Sequence, residues 1–213
     1  SWESSQDLFA KTCRDFLKIP SQNFHEIEHD EGKEILDFID SYRGQRLIIY
    51  FVSHQNSSAE IILEDGSKFK TKKLADSLNR LQVPTLVIFD TCYAALLKPF
   101  LSNDKVSVYY ACSANELAYD FRWRGQKPSL TKLCRGTRAF IKGAWSKDVI
   151  TSSPFGFFIL KSIIEIRGDE STLSQLFESV FEINRQIRKI PGLARYPQAF
   201  WDDKANWGKL RLN

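Results

Sequence analysis

Two apolar runs in this chain each deliver a reactive side chain at the carboxyl end. RLIIYFVS (Arg46–Ser53) leads into His54-Gln55, and TLVIFD (Thr85–Asp90) leads through Thr91 into Cys92-Tyr93. A thiolate paired with an imidazole is the minimal equipment for acyl transfer. The imidazole lowers the thiol pKa, takes its proton and later returns it to the leaving amine. Read alone, a histidine at a strand end is an ordinary hydrogen-bonded loop residue, and a cysteine there is a small buried apolar group. The pair gains weight because both follow buried-type strands in the order His, then Cys. Neighbouring strands lie about 5 Å apart, so adjacent runs would set His54 and Cys92 across one cleft.

Positioning them requires a sheet. Arg46–Ser53, Thr85–Asp90 and Val106–Cys112 are apolar nearly throughout, the pattern of parallel strands covered on both faces. Helical spacing runs through Ser5–Ile19, Glu31–Tyr42, Lys72–Leu81, Pro154–Ile166 and Thr172–Ile190. Gly44 and Gly168 stand where left-handed helix caps would fall. Phe24–His29 fits a shorter strand, and Ile61–Leu63 with Lys68–Lys70 brackets a hairpin signal at Glu64-Asp65-Gly66-Ser67. The expected fold is a three-layer α/β/α sandwich around a mainly parallel sheet, in one domain spanning residues 1–213. Chemistry in such sheets collects beyond the carboxyl ends of the strands, where His54 and Cys92 stand.

Composition excludes several classes. With 213 residues, 43% hydrophobic and 26% charged, the chain is long enough for one sizeable core and too apolar to be disordered. No uncharged apolar stretch of about 18 residues exists, and the longest candidate, Phe155–Ile164, is interrupted by Lys161. The polar Ser1–Asp7 is unlike a signal peptide. Cys13, Cys92, Cys112 and Cys134 form no CxxC pair, and His25, His29 and His54 complete no zinc pattern. Reduced thiols in a cytoplasmic setting, with no cofactor, are therefore expected. There is no methionine, so Ser1 is not expected to be the natural start. The 16 Phe, 7 Tyr and 5 Trp read mainly as core, with Phe200-Trp201 and Trp207 available for a partner.

LIIYFVSHQ, followed by LVIFDTCYA and then by VYYACSANELAYD, resembles the caspase-like cysteine peptidases: caspases, metacaspases, paracaspases and bacterial relatives. Ser153-Pro154-Phe155-Gly156 and Tyr196-Pro197-Gln198 extend the likeness over nearly the whole chain. The resemblance implies a cysteine endopeptidase with His54 as catalytic histidine and Cys92 as nucleophile. The backbone N–H groups of Gln55 and Cys92 would hold the oxyanion. Asp90 matches the acidic residue of the first specificity pocket, which favours Arg or Lys before the scissile bond. Ser113, Glu116 and Asp120 fall on another wall of that pocket. The family implies no metal for the chemistry, although calcium activates some members, and this sequence carries no clear acidic cluster that demands it. Partners would be protein substrates, an adaptor or sensor region outside the chain, and in some relatives a second copy.

Two departures mark this sequence: Gln55 replaces the family's usual glycine, and Ala94-Ala95 replaces the glycine after the nucleophile. Losing an oxyanion donor costs on the order of 10²–10³ in rate, so an inactive caspase-like binding or scaffolding module is the alternative. An unrelated nucleotide-binding domain is disfavoured by the lack of a glycine-rich phosphate loop. The family's first strand finds no counterpart before Trp2 and is expected upstream of Ser1. Net charge is +4, and Arg122–Lys142 holds seven basic residues and no acid. Such a stretch is first a solvated loop and only secondarily a nucleic-acid contact. In this family the same linker is where autoprocessing falls, with Lys132, Arg135 and Arg138 as candidate cleavage positions.

Overall fold

The computed structural model describes residues 32–63, 65–118, 172–189 and 197–209, together with 20–25, 27, Ala10 and Arg14. It is an α/β fold whose central sheet is mixed but mostly parallel. Strand β1 (Leu47–Val52), β5 (Thr85–Asp90) and β6 (Val106–Tyr110) lie side by side in parallel, and β7 (Phe200–Asp202) closes the far edge of β6 antiparallel. A second, small antiparallel sheet follows β1 directly: β2 (His54–Gln55), β3 (Glu60–Ile62) and β4 (Lys68–Lys70).

The apolar runs form strands because helices cover both faces. Alternation sends Phe51, Val87, Phe89, Val108 and Tyr110 to one face, where they pack with Ile39 of α1 (Gly32–Ser41) and Leu74, Ala75 and Leu78 of α2 (Thr71–Arg80). The opposite face carries Tyr109, whose ring stacks at 3.9 Å on Phe177 of α3 (Leu173–Arg188). Burying an aromatic pair of this size adds about 0.5–1.5 kcal/mol beyond its area term. Asp40 and Arg80 tie α1 to α2 at 2.7 Å.

The three long strands, three of the helices and the β3–β4 hairpin fall where the residue pattern puts them. Gly66 supplies the hairpin turn at φ +84°, a left-handed conformation that a side chain would strain. Four expectations change. Gly44 is not a left-handed cap; the Tyr42 ring folds onto it so that its hydroxyl can donate to the Arg46 carbonyl at 2.6 Å, leaving no room for a Cβ. Phe24, His25 and Ile27 lie outside any strand, and His25 instead stacks on Phe38 at 4.4 Å. Phe200-Trp201 and Trp207 turn inward: Phe200 stacks on Tyr110, Trp201 meets Phe177 edge-on and Trp207 is buried. Strands β2 and β7 were not anticipated. Ala10 and Arg14 are helical, but most of Ser5–Ile19, all of Pro154–Ile166 and Gly168 lie outside the described residues. Among the described residues no helix is long and apolar enough to cross a membrane.

Candidate active site

The register brings the two strand ends together. Val52 of β1 pairs with Asp90 of β5, and the Ser53 N–H donates to the Asp90 carbonyl at 3.4 Å. His54 and Cys92 each stand two residues beyond that last pair, past the ends of the adjacent parallel strands β1 and β5. His54 is exposed and Cys92 half-buried.

His54 marks the place where the chain leaves the main sheet for the small one. Ser53, buried, secures the departure by donating its hydroxyl to the Ile62 carbonyl at 2.8 Å. Beyond it, Asn56 builds the turn into β3. Its Oδ1 accepts from the N–H groups of Ser58 and Glu60, and its Nδ2 donates to Glu60 Oε2 at 2.9 Å. Hydrogen bonds from Asn56 and Lys70, and the Lys70 charge, hold the Glu60 carboxyl below its usual value. The Asn56 N–H donates to the Glu60 carbonyl. Antiparallel pairs alternate, so Gln55 opposite Ile61 is a non-hydrogen-bonded pair and its backbone N–H points away from β3. That N–H is the one the family resemblance assigns to the oxyanion.

Cys92 lies in a tight turn just past β5, the strand between β1 and β6. Its Sγ donates to the Ala118 carbonyl at 3.4 Å. Tyr93 takes a left-handed conformation, φ 53° and ψ 31°, before the short 3₁₀ stretch Ala94–Phe100. A non-glycine residue there costs about 1–2 kcal/mol, so its bonds matter. The Tyr93 N–H donates to the Glu116 carbonyl at 2.8 Å, and its carbonyl accepts from Leu96 N–H at 2.9 Å.

Cys112, at the end of β6, sits beneath this turn. Its thiol sulfur lies 3.3 Å from the Thr91 and Glu116 carbonyls and accepts from the Ala94 N–H at 3.4 Å. Burial pushes this thiol up to about 12, so it stays protonated and serves as a structural hydrogen-bonding group. Composition and spacing alone do not set Cys112 apart from the other three thiols. Its place at a strand end was the available signal.

Asp90 is buried at the carboxyl end of β5, on its α3 face, and accepts from the Tyr50 hydroxyl at 3.0 Å. Glu116 stands on the adjoining turn with its carboxylate occupied: Oε2 accepts from the Ser113 N–H and Oε1 meets Arg188 of α3 at 3.4 Å. Ser113 itself bonds Asn115 at 2.6 Å. Asp120, Lys132, Arg135 and Arg138 lie outside the described residues. Among the described residues no group of three or more His, Cys, Asp or Glu side chains is placed to hold a metal ion.

The sequence also underrated Gln55. Its side chain is buried, accepts from the Thr91 hydroxyl at 3.1 Å and donates to the Tyr93 carbonyl at 3.2 Å. The arrangement has a thiol and an imidazole each two residues past the same strand pair, a backbone N–H directed away from β3 and a buried carboxylate at the end of β5. Neither any family model nor any curated protein matches the chain.

Proposed function

We propose that this chain is a caspase-like cysteine endopeptidase using His54 and Cys92. The observation that carries the reading is the register: two chemically complementary side chains, each two residues past the Val52–Asp90 pair on neighbouring parallel strands. In the reaction His54 takes the Cys92 proton, Sγ bonds the scissile carbonyl carbon, and the oxyanion meets the N–H groups of Gln55 and Cys92. His54 then protonates the departing amine, and water hydrolyses the thioester. Asp90 gives the pocket its negative charge and a preference for Arg or Lys. Protein substrates, an outside adaptor region, autoprocessing in the basic stretch and a cytoplasmic setting belong to the same proposal.

A second reading, a non-catalytic caspase-like binding module, draws on the Cys92 thiol being engaged as a donor to the Ala118 carbonyl. Fluorogenic peptides varied at the residue before the scissile bond separate the two. The peptidase reading expects turnover of Arg and Lys peptides that falls at least about 10⁴-fold in Cys92→Ala, with the basic preference lost in Asp90→Ala. Turnover of neutral or acidic peptides alone would keep the peptidase and remove Asp90 from the pocket. No turnover by the full chain, with calcium added, would favour the binding module.

A further inference from the structure

We infer that Gln55 is a positioning residue for the nucleophile, holding both residues that flank Cys92 with one carboxamide; this rests on the peptidase reading above. The Gln55 Oε1 accepts from the Thr91 hydroxyl at 3.1 Å, and its Nε2 donates to the Tyr93 carbonyl at 3.2 Å. Gln55 is 4% exposed and Thr91 1%, so neither bond is exchanged readily for water. The bracket has a task that a glycine at this position could not perform. Tyr93 holds a left-handed backbone that its own side chain disfavours, and the Cys92 N–H lies in the peptide plane joining Thr91 to Cys92, within the span that the carboxamide holds at both ends. The carboxamide spans the turn from Thr91 to Tyr93 and fixes its shape from the side of His54. Gln55 thus contributes twice, through its backbone N–H and through the side chain that orients the second donor.

Acyl transfer and alkylation separate this role from general stability. In acylation Cys92 Sγ bonds a carbonyl carbon, its proton passes to His54, and charge collects on the carbonyl oxygen. As that charge returns, the ester C–O bond breaks and p-nitrophenolate leaves. Alkylation by iodoacetamide expels iodide at an sp³ carbon and forms no oxyanion. Burst kinetics with p-nitrophenyl esters of N-acylated arginine and alanine would be set beside Cys92 alkylation in the full chain. Gln55→Ala is expected to slow acylation about 10²-fold, the scale of a lost oxyanion donor, with alkylation changed less than about twofold. Thr91→Val, which removes one end of the bracket, is expected to lose about tenfold, and Thr91→Ser, keeping the hydroxyl, to recover most of it. Acylation retained in Gln55→Ala, or acylation and alkylation falling together in both Gln55→Ala and Thr91→Val, would overturn the positioning role. A wild-type chain that alkylates at Cys92 yet is acylated by neither ester would overturn the peptidase reading itself, and the catalytic role of Gln55 with it.

Discussion

Cys92 rises from the interior of the main sheet, whereas His54 stands where the chain departs from it. The nucleophile turn is bound from three directions: Glu116 holds the Tyr93 N–H, Cys112 holds the Ala94 N–H, and Gln55 holds Thr91 and the Tyr93 carbonyl. The histidine flank has a two-residue strand, the Ser53 hydroxyl and a turn organised by Asn56. One flank is fixed by groups far away in sequence, Gln55 and Cys112 among them buried, the other by local polar bonds near solvent. On the peptidase proposal, the difference teaches that backbone geometry is specified on the flank assigned to the oxyanion, while the histidine assigned to carry the proton is left accessible. Gln55 belongs to the histidine flank by sequence and to the cysteine flank by its bonds, and so joins the two.

The comparison breaks most visibly at its reactive ends. His54→Ala is expected to lower kcat about 10³-fold or more while leaving the thermal midpoint within a few degrees, because the side chain is exposed. Ester hydrolysis and a melting curve on the same preparation check this, and a collapse of the melting curve would make His54 a structural residue.

The buried flank has its own signature in pH. The folded state holds the Cys112 thiol near 12 against an ordinary value of 9.0, by burial first, so the unfolded chain gives up this proton earlier. The stability tied to Cys112 is therefore intact below pH 9 and drains away as pH climbs toward 12, at up to about 1.4 kcal/mol per pH unit. Burial raises Tyr109 and Tyr110 as well, from an ordinary 10.0, and their losses start above that pH. Denaturant unfolding from pH 8 to 10 should show the early slope in the wild type and lose it in Cys112→Ala. An identical slope in both would remove Cys112 from this account.

The local flank gives the smallest effect. Asn56→Ala removes three side-chain bonds at a half-exposed turn and is expected to cost about 1–2 kcal/mol. A shift in the unfolding midpoint measures it. A loss as large as that of a buried core residue would erase the contrast between the flanks.

How far the sequence carried these conclusions depends on the residue. TLVIFD is buried at every position, and an unbroken apolar run announces such a strand. FWD in β7 is half-buried throughout, short and followed by charge, so its pairing with β6 is a tertiary fact without a local pattern. The two-residue β2 exists only because β3 returns to it. The places of His54 and Cys92 just past two buried strands were legible from the apolar runs before them, whereas Asp90 was singled out through the family resemblance. Gln55 was read as an absent glycine, since a carboxamide declares donors and acceptors but not which turn it will meet. Glu116 was read as a pocket wall, and only the fold could reveal Arg188 beside it.

The antiparallel partner of β6 has a consequence for the order in which the protein is made. Asp203, which caps the Trp207 and Gly208 N–H groups and accepts from the Ser107 hydroxyl, follows Ser107 by 96 positions. At ribosomal speed that interval lasts roughly 5–20 s. Throughout it the parallel core can assemble, yet β6 presents an apolar, hydrogen-bonding edge with no strand beside it. A nascent chain in that state is a natural client for a chaperone, and stalling translation between these two residues would lengthen its exposure.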